Sequence, residues 1–182
     1  QQNDVSGKQP EVVERLKGAY ENWWDDMTPN FDNVSHQVVG AAQENPVQLT
    51  CHSWRTPSKE KAYNQKHVRE GIAINDAYWP VEVENDGLYR IELRRWPRDA
   101  DVPIVGRVPA VEEPFCDPLP VGRAYPITKA RLSVQGFDKT IPVGKADKAA
   151  VFEVPLKKGQ TKLRTWFTFN DDQTISAYYV YV

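Results

Sequence analysis

The hydrophobic period of this chain changes once, at Thr28-Pro29-Asn30, and that change limits what the chain can fold into. Before it, Val12, Val13, Leu16, Ala19, Tyr20, Trp23, Trp24 and Met27 recur at three- and four-residue steps. That spacing gathers apolar side chains on one stripe of a helix. Glu14, Lys17, Glu21 and Asp25 fall on the other side. Pro10 suits the first helical turn, where a missing N–H costs nothing, and Pro29 disfavours helical geometry in the residue before it. A helix over residues 10–27 is therefore expected. Trp23 and Trp24 point about 100° apart on it, so both are buried only in a groove. At least one of them is expected to pack against the part of the chain that follows.

After Pro29 the apolar residues alternate, the period of strands. Strand candidates are 37–39, 47–50, 71–74, 79–84, 87–95, 131–134, 150–156, 162–169 and 175–182. Asn45-Pro46, Asn85-Asp86-Gly87, Lys157-Lys158-Gly159 and Asn170-Asp171-Asp172 are turn signals between them. Short strands at this spacing indicate a mainly β fold, an antiparallel β-sandwich (jelly roll) preceded by one N-terminal α-helix. Residues 1–29 read as a helical linker and 30–182 as the sandwich domain. Prolines crowd residues 97–126, a long irregular connection. In residues 88–96, Tyr89, Ile91 and Leu93 form the core face, leaving Arg90, Glu92, Arg94 and Trp96 on the wetter one. In 175–182 both faces are apolar, which predicts a central strand covered on both sides.

Charge narrows the function classes. The net charge of −2 divides into −5 over residues 1–53 (3 basic, 8 acidic) and +3 over 54–182 (20 basic, 17 acidic). Neither value suits a nucleic-acid binder, which concentrates basic charge on one face. No apolar run reaches the roughly 18 residues of a membrane span. Nucleic acid and membrane are thus not the expected partners. Six Trp and eight Tyr beside a single Met point instead to a β-rich core or a surface that stacks flat ligands.

The nearest thing to a nucleophile is Cys51-His52-Ser53-Trp54-Arg55. Adjacent strand residues face opposite ways, so thiol and imidazole would not bond, and no catalytic residue is expected. Two cysteines cannot make a zinc site; Cys51 and Cys116 form either one disulfide across 64 intervening residues or two buried thiols. His36, His52 and His67 lack metal-ligand spacing. Asp171 or Asp172 with backbone carbonyls is a grouping that suits a structural Ca2+, and a solvated turn is the plainer reading. A denser constellation is Trp54, Tyr63, Asn64, Gln65, Tyr78, Trp79 and Trp96, interleaved with Arg55, Arg94, Arg95 and Arg98. Indoles stack on the C–H face of sugars, amides bond hydroxyls, and arginine forks hold sulfate or carboxylate. The alternative is that the tryptophans fill the core. Trp96, placed with Arg94 by alternation, is the leading stacking plate.

Several strings resemble a known family. Pro10-Glu11-Val12-Val13 followed by Tyr20-Glu21-Asn22-Trp23-Trp24-Asp25-Asp26 resembles the last helix of bacterial formylglycine-dependent, arylsulfatase-like enzymes. Asn45-Pro46-Val47-Gln48-Leu49-Thr50, Leu93-Arg94-Arg95-Trp96-Pro97, Thr165-Trp166-Phe167 and Ala177-Tyr178-Tyr179-Val180-Tyr181-Val182 resemble the β-rich C-terminal extension of a subset of them. The family's Cys/Ser-x-Pro-x-Arg signature is not reproduced, because Ser53 stands where the proline belongs. The β part also resembles, more loosely, galactose-binding-like jelly rolls such as the family 6 and 35 carbohydrate-binding modules, through Trp79, Gly87-x-Tyr89-x-Ile91-x-Leu93-x-Arg95 and Phe152-x-Val154-x-Leu156-x-x-Gly159. The resemblance implies a secreted or periplasmic, non-catalytic module that binds a sulfated polysaccharide and targets an attached sulfatase domain to it. Its candidate binding residues are Trp96, Arg94, Arg95, Arg98, Trp54, Tyr63, Asn64 and Trp79. The alternative is a structural C-terminal domain that completes the catalytic domain, shapes its cleft or mediates oligomerisation.

Overall fold

The computed structural model describes residues 3–58, 62–72, 74–112, 117–170 and 172–182. The chain forms two compact units, Gln1–Ser35 and His36–Val182. The first is built on α1 (Pro10–Met27), with Pro10 in its first turn and short 3-10 turns at Ser6–Lys8 and Thr28–Asn30. The Thr28 hydroxyl donates to the Trp24 carbonyl at 2.6 Å and closes the helix end. Tyr20 stacks on Trp24 at 6.1 Å, and Phe31 meets Trp24 edge-on at 5.3 Å. Within this unit Trp23 is 52% and Trp24 43% exposed, and α1 contributes no buried residue.

The second unit is mainly β and largely antiparallel. One sheet runs in the order β2 (Gln48–Thr50), β10 (Tyr179–Tyr181), β4 (Gly87–Arg94), β7 (Ala150–Leu156). The other runs β1 (Gln37–Val39), β3 (Tyr78–Val83), β8 (Gly159–Phe169), β5 (Lys129–Val134), β6 (Phe137–Pro142), with β9 (Gln173–Ile175) also paired to β8. Only the β1–β3 pairing is parallel among the described strands. Alternation puts Leu49, Ile91, Leu93, Phe152 and Val154 of the first sheet into one apolar cluster with Trp79, Val81, Leu132, Leu163 and Phe167 of the second. The outer faces carry most of the charged side chains, with Leu88, Val151 and Trp166 set among them.

Four elements differ from the sequence expectation. Residues Gln65–Glu70 form a short helix, α2, whose start is capped by the Asn64 side chain and whose end is Gly71 at φ 74°. Helical geometry therefore returns after Pro29, and the strand expected at 71–74 is absent among its described residues. Phe137–Pro142 is an unforeseen strand, hairpinned to β5 through Gln135 and Gly136 at φ 46° and 81°, the positive values that a tight two-residue turn requires. The strand expected over 175–182 is divided into β9 and β10, which belong to different sheets. The later piece is central and buried on both faces, as expected.

The proline-rich connection 97–126 poses a hydrogen-bonding problem, because each proline contributes a carbonyl and no N–H. Buried arginines supply the missing donors. Arg95, 0% exposed, donates to the carbonyls of Ile104 at 3.1 Å, Gly106 at 3.3 Å and Arg123. Its guanidinium lies 4.7 Å from the Trp96 ring centre and 4.8 Å from that of Tyr125. Arg69 donates to Pro109 O at 2.6 Å and Pro120 O at 2.8 Å. Burial pulls the Arg95 guanidinium down to about 10. A lysine carries a compact head that cannot span three carbonyls in a fork. Arg95→Lys is accordingly expected to lower stability by about 3 kcal/mol in urea unfolding; an unchanged midpoint would show that the connection is held without this fork.

Candidate functional site

The strand β4 presents Tyr89, Ile91 and Leu93 inward, so Arg90, Glu92 and Arg94 stand on the outer face of the four-stranded sheet. Pro97 ends this run in extended geometry, and a 3-10 turn over Arg98–Ala100 reverses the chain. The Arg98 N–H donates to the Tyr181 hydroxyl at 3.1 Å, which brings its side chain back over the sheet. The Arg98 guanidinium then lies 4.1 Å from the Tyr181 ring centre. Gln48 donates to the same hydroxyl at 3.0 Å.

Glu92 is the centre of the cluster. Arg90 Nη2 lies 3.1 Å from its Oε1, while Arg94 Nε at 3.4 Å and Arg98 Nη2 at 3.1 Å meet its Oε2. The Glu92 side chain is 9% exposed, against 65% for Arg90 and 39% for Arg98. Three guanidiniums around one carboxylate leave two positive charges in excess, with edges free toward solvent. Beside them opens a groove of about 530 Å³ walled by Asn45, Pro46, Leu88, Arg90, Arg98 and Val182. Gly40, at φ 78°, also borders it, and a Cβ there would collide with the Tyr89 hydroxyl, so only glycine lets Tyr89 close this wall.

A second recess on the same face, about 260 Å³, lies between Thr50, His52, Tyr63, Asn64, Gln65 and Tyr179. Tyr63 is exposed and meets His67 edge-on at 4.7 Å. The Asn64 side-chain Oδ1 accepts from the His67 N–H at 2.9 Å, and Gln65 donates to the Tyr179 hydroxyl at 2.8 Å. Tyr179 and Tyr181, paired in register with Arg94 and Glu92, link the two recesses along β10.

The structure thus brings Arg94 and Arg98 together, and Tyr63 with Asn64, and sends the other four expected residues inside. Trp96 is 2% exposed and donates from its indole to Gly106 O at 3.2 Å, so its placement on an outer face with Arg94 is corrected. The reason is that β4 stops at Arg94; Arg95 and Trp96 occupy a bend in which alternation no longer holds. Trp54 and Trp79 are buried against each other at 5.7 Å, and the Trp79 indole donates to Thr50 O at 2.8 Å. Arg95 is the internal fork described above. None of these four offers a face to a ligand. Arg90, Glu92 and Tyr181 are the residues that sequence reasoning did not place in the site. The Arg-x-Glu-x-Arg alternation was a usable signal for the first two, whereas the neighbouring Tyr181 depends on a pairing between strands far apart in sequence.

Cys51 opens a 3-10 turn, Cys51–Ser53, and is buried. Burial pushes its thiol up to about 12, so it stays protonated at neutral pH. Its proposed pairing with Cys116 lies outside the described residues, as does Asp171 of the suggested calcium turn; Asp172 sits in that turn at φ 78°. Among the described residues no group of three or more His, Cys, Asp or Glu side chains could hold a metal ion. No protein-family model matches the chain, and neither a curated protein nor a solved structure matches it.

The Cys51 environment has a consequence for stability. The folded thiol titrates near 12 instead of its ordinary 9.0, and burial also pushes the Tyr178 phenol upward. Above about pH 9 the unfolded chain therefore releases protons that the fold retains, and stability falls as pH rises. Cys51→Ala should reduce the loss of unfolding free energy between about pH 8 and pH 10 by about 1 kcal/mol. Parallel stability–pH curves for the two proteins would show that this thiol ionises freely in the fold.

Proposed function

We propose that this chain is a non-catalytic carbohydrate-binding module for a sulfated polysaccharide, folded as a jelly-roll β-sandwich and holding an attached sulfatase on that polymer. The observation that carries the reading is the Glu92 cluster: one carboxylate faces three guanidiniums, and two of these remain well exposed beside a groove. A sulfate ester needs charge-assisted donors, and an arginine fork offers two at once. The exposed Tyr63 and the Asn64 amide, on the same face, add an aromatic edge and a polar partner for sugar hydroxyls. The reading rests on arginines rather than tryptophans, since Trp54, Trp79 and Trp96 are core residues. The sandwich architecture is supported by the apolar cluster common to both sheets. The attached sulfatase and a secreted or periplasmic setting are supported by the sequence resemblance alone.

One observation favours a second reading, a structural role against a catalytic domain. Val13, Leu16, Tyr20, Trp23, Trp24, Met27 and Phe31 of the N-terminal unit are all exposed. An apolar stripe of that size marks a surface made for contact.

Affinity electrophoresis of the chain in gels carrying sulfated, desulfated and neutral polysaccharides tests the binding reading. Arg90→Ala with Arg98→Ala is expected to weaken retardation by a sulfated polymer about tenfold, equivalent to about 1.4 kcal/mol, and to leave neutral gels unaffected. Glu92→Gln removes the one carboxylate and is expected to strengthen retardation. Added salt should weaken binding, because exposed charges are screened within about 8–10 Å. Equal mobility of parent and arginine variant in every sulfated gel would refute the site, and no retardation in any of them would leave the structural reading.

A further inference from the structure

The outer face of the six-stranded sheet carries a second basic array, separate from the Glu92 cluster. Alternation along β8 turns Lys162, Arg164 and Trp166 outward, and β5 adds Lys129 and Arg131. Tyr78 of β3 is in register with Arg164, and Arg131 with Trp166. Three of the four cations are held against rings. Lys162 Nζ lies 4.9 Å and Arg164 Cζ 5.8 Å from the Tyr78 ring centre, and Arg131 Cζ lies 4.7 Å from that of Trp166. The Trp166 indole is itself anchored, donating to Asn75 O at 2.8 Å.

Charge on this face is unbalanced. Asp138 neutralises Arg131 through two hydrogen bonds, at 2.7 Å from Nε and 2.5 Å from Nη2. Lys129, Lys162 and Arg164 have no carboxylate partner among the described residues. Lys162 and Arg164 stand two residues apart on one strand, which spaces their backbones by roughly 6.6–6.8 Å. Contact with a ring face limits the freedom of a long cationic side chain, so less entropy is lost when an anion binds it. Lys162 and Arg164, both unpaired and both against Tyr78, with Lys129 unpaired beyond them on β5, suit a chain bearing anions at intervals, not a single small anion in a cavity.

We propose that this face is a second binding surface for a sulfated glycan, so that one domain engages two polysaccharide chains, one on each sheet. The inference rests on the ligand class proposed for the Glu92 cluster and extends it to a different set of residues. The inner faces of the two sheets share one core, so their outer faces look away from each other and a short oligosaccharide cannot reach both. The domain would then act as a cross-link in a polymer network as well as an anchor.

Titration calorimetry of the full chain with a heparin tetrasaccharide distinguishes the two sites. The parent is expected to bind two equivalents. Lys129→Ala with Lys162→Ala and Arg164→Ala, all exposed positions, should bind one, and Arg90→Ala with Arg98→Ala should bind the other one. A parent stoichiometry of one that the arginine pair alone abolishes would overturn the second surface and leave the first intact. Stoichiometry of one abolished by the triple variant alone would uphold this face and refute the Glu92 site. Absence of binding to the parent would refute both. Backbone amide and indole resonances of Lys162, Arg164 and Trp166 provide a measurement without substitution: they should shift on titration of the unmodified domain, and their staying fixed while those of Arg94 and Arg98 move would overturn the proposal.

Discussion

The fold hangs on a buried guanidinium whose partners are carbonyls. A charge without a counter-ion is costly inside a protein, and Arg95 is tolerated because it is a donor-only group where acceptors are in surplus. The connection 97–126 is rich in prolines, so its carbonyls outnumber its N–H groups. By gathering Ile104 and Gly106 with Arg123 the fork draws two separated stretches of that connection over the end of β4. Trp96 and Tyr125 then sandwich the cation and are themselves sealed from water. The outward chain direction after β4 follows. Pro97 turns where this packing ends, and Arg98 comes back across Glu92 because of it.

Neighbouring arginines consequently do opposite work. Arg94 projects to the outer face and shares Glu92 with two other guanidiniums, while Arg95 projects inward and bonds only the backbone. The same forked donor geometry serves both, and burial decides which acceptors it meets. Rings are used the same way on both sheets, as flat supports beneath cations: Tyr181 for Arg98, Tyr78 for Lys162, Trp166 for Arg131. Among the described residues of the second unit the aromatic rings thus go largely into the core and under cations, with Tyr63 left as an exposed ring beside the site.

Much of this was legible in the alternation itself. The period change at Pro29, the inward set Tyr89, Ile91 and Leu93, and the doubly covered final strand are local patterns, and they hold. The failures share a cause. Arg95 and Trp96 continue the β4 pattern on paper, but the ladder stops one residue earlier, and what stops it is packing against residues some ten to thirty positions away. Helix α2 has six residues, too few to display a helical period, and only the Asn64 cap and Gly71 end announce it. Gln135-Gly136 was the one local sign of the β5–β6 hairpin. The division of 175–182 between two sheets has no local sign, since Ser176 leaves the ladder to donate its N–H to Ile74 O at 2.6 Å.

The order of strands in the smaller sheet has a consequence for how the chain is made. β10 lies between β2 and β4, and Val47 and Val182 exchange backbone hydrogen bonds at 3.0 and 3.1 Å. Gln48 and Tyr181, bonded side chain to side chain, are 133 positions apart. A ribosome delivers β2, β4 and β7 well before the strand that joins the first two. Until it arrives, β2 and one side of β4 present unpaired N–H and C=O groups, the state in which nascent chains pair with one another. During translation β2 and β4 are therefore open edges, and the smaller sheet closes only after Tyr179–Tyr181 has left the exit tunnel.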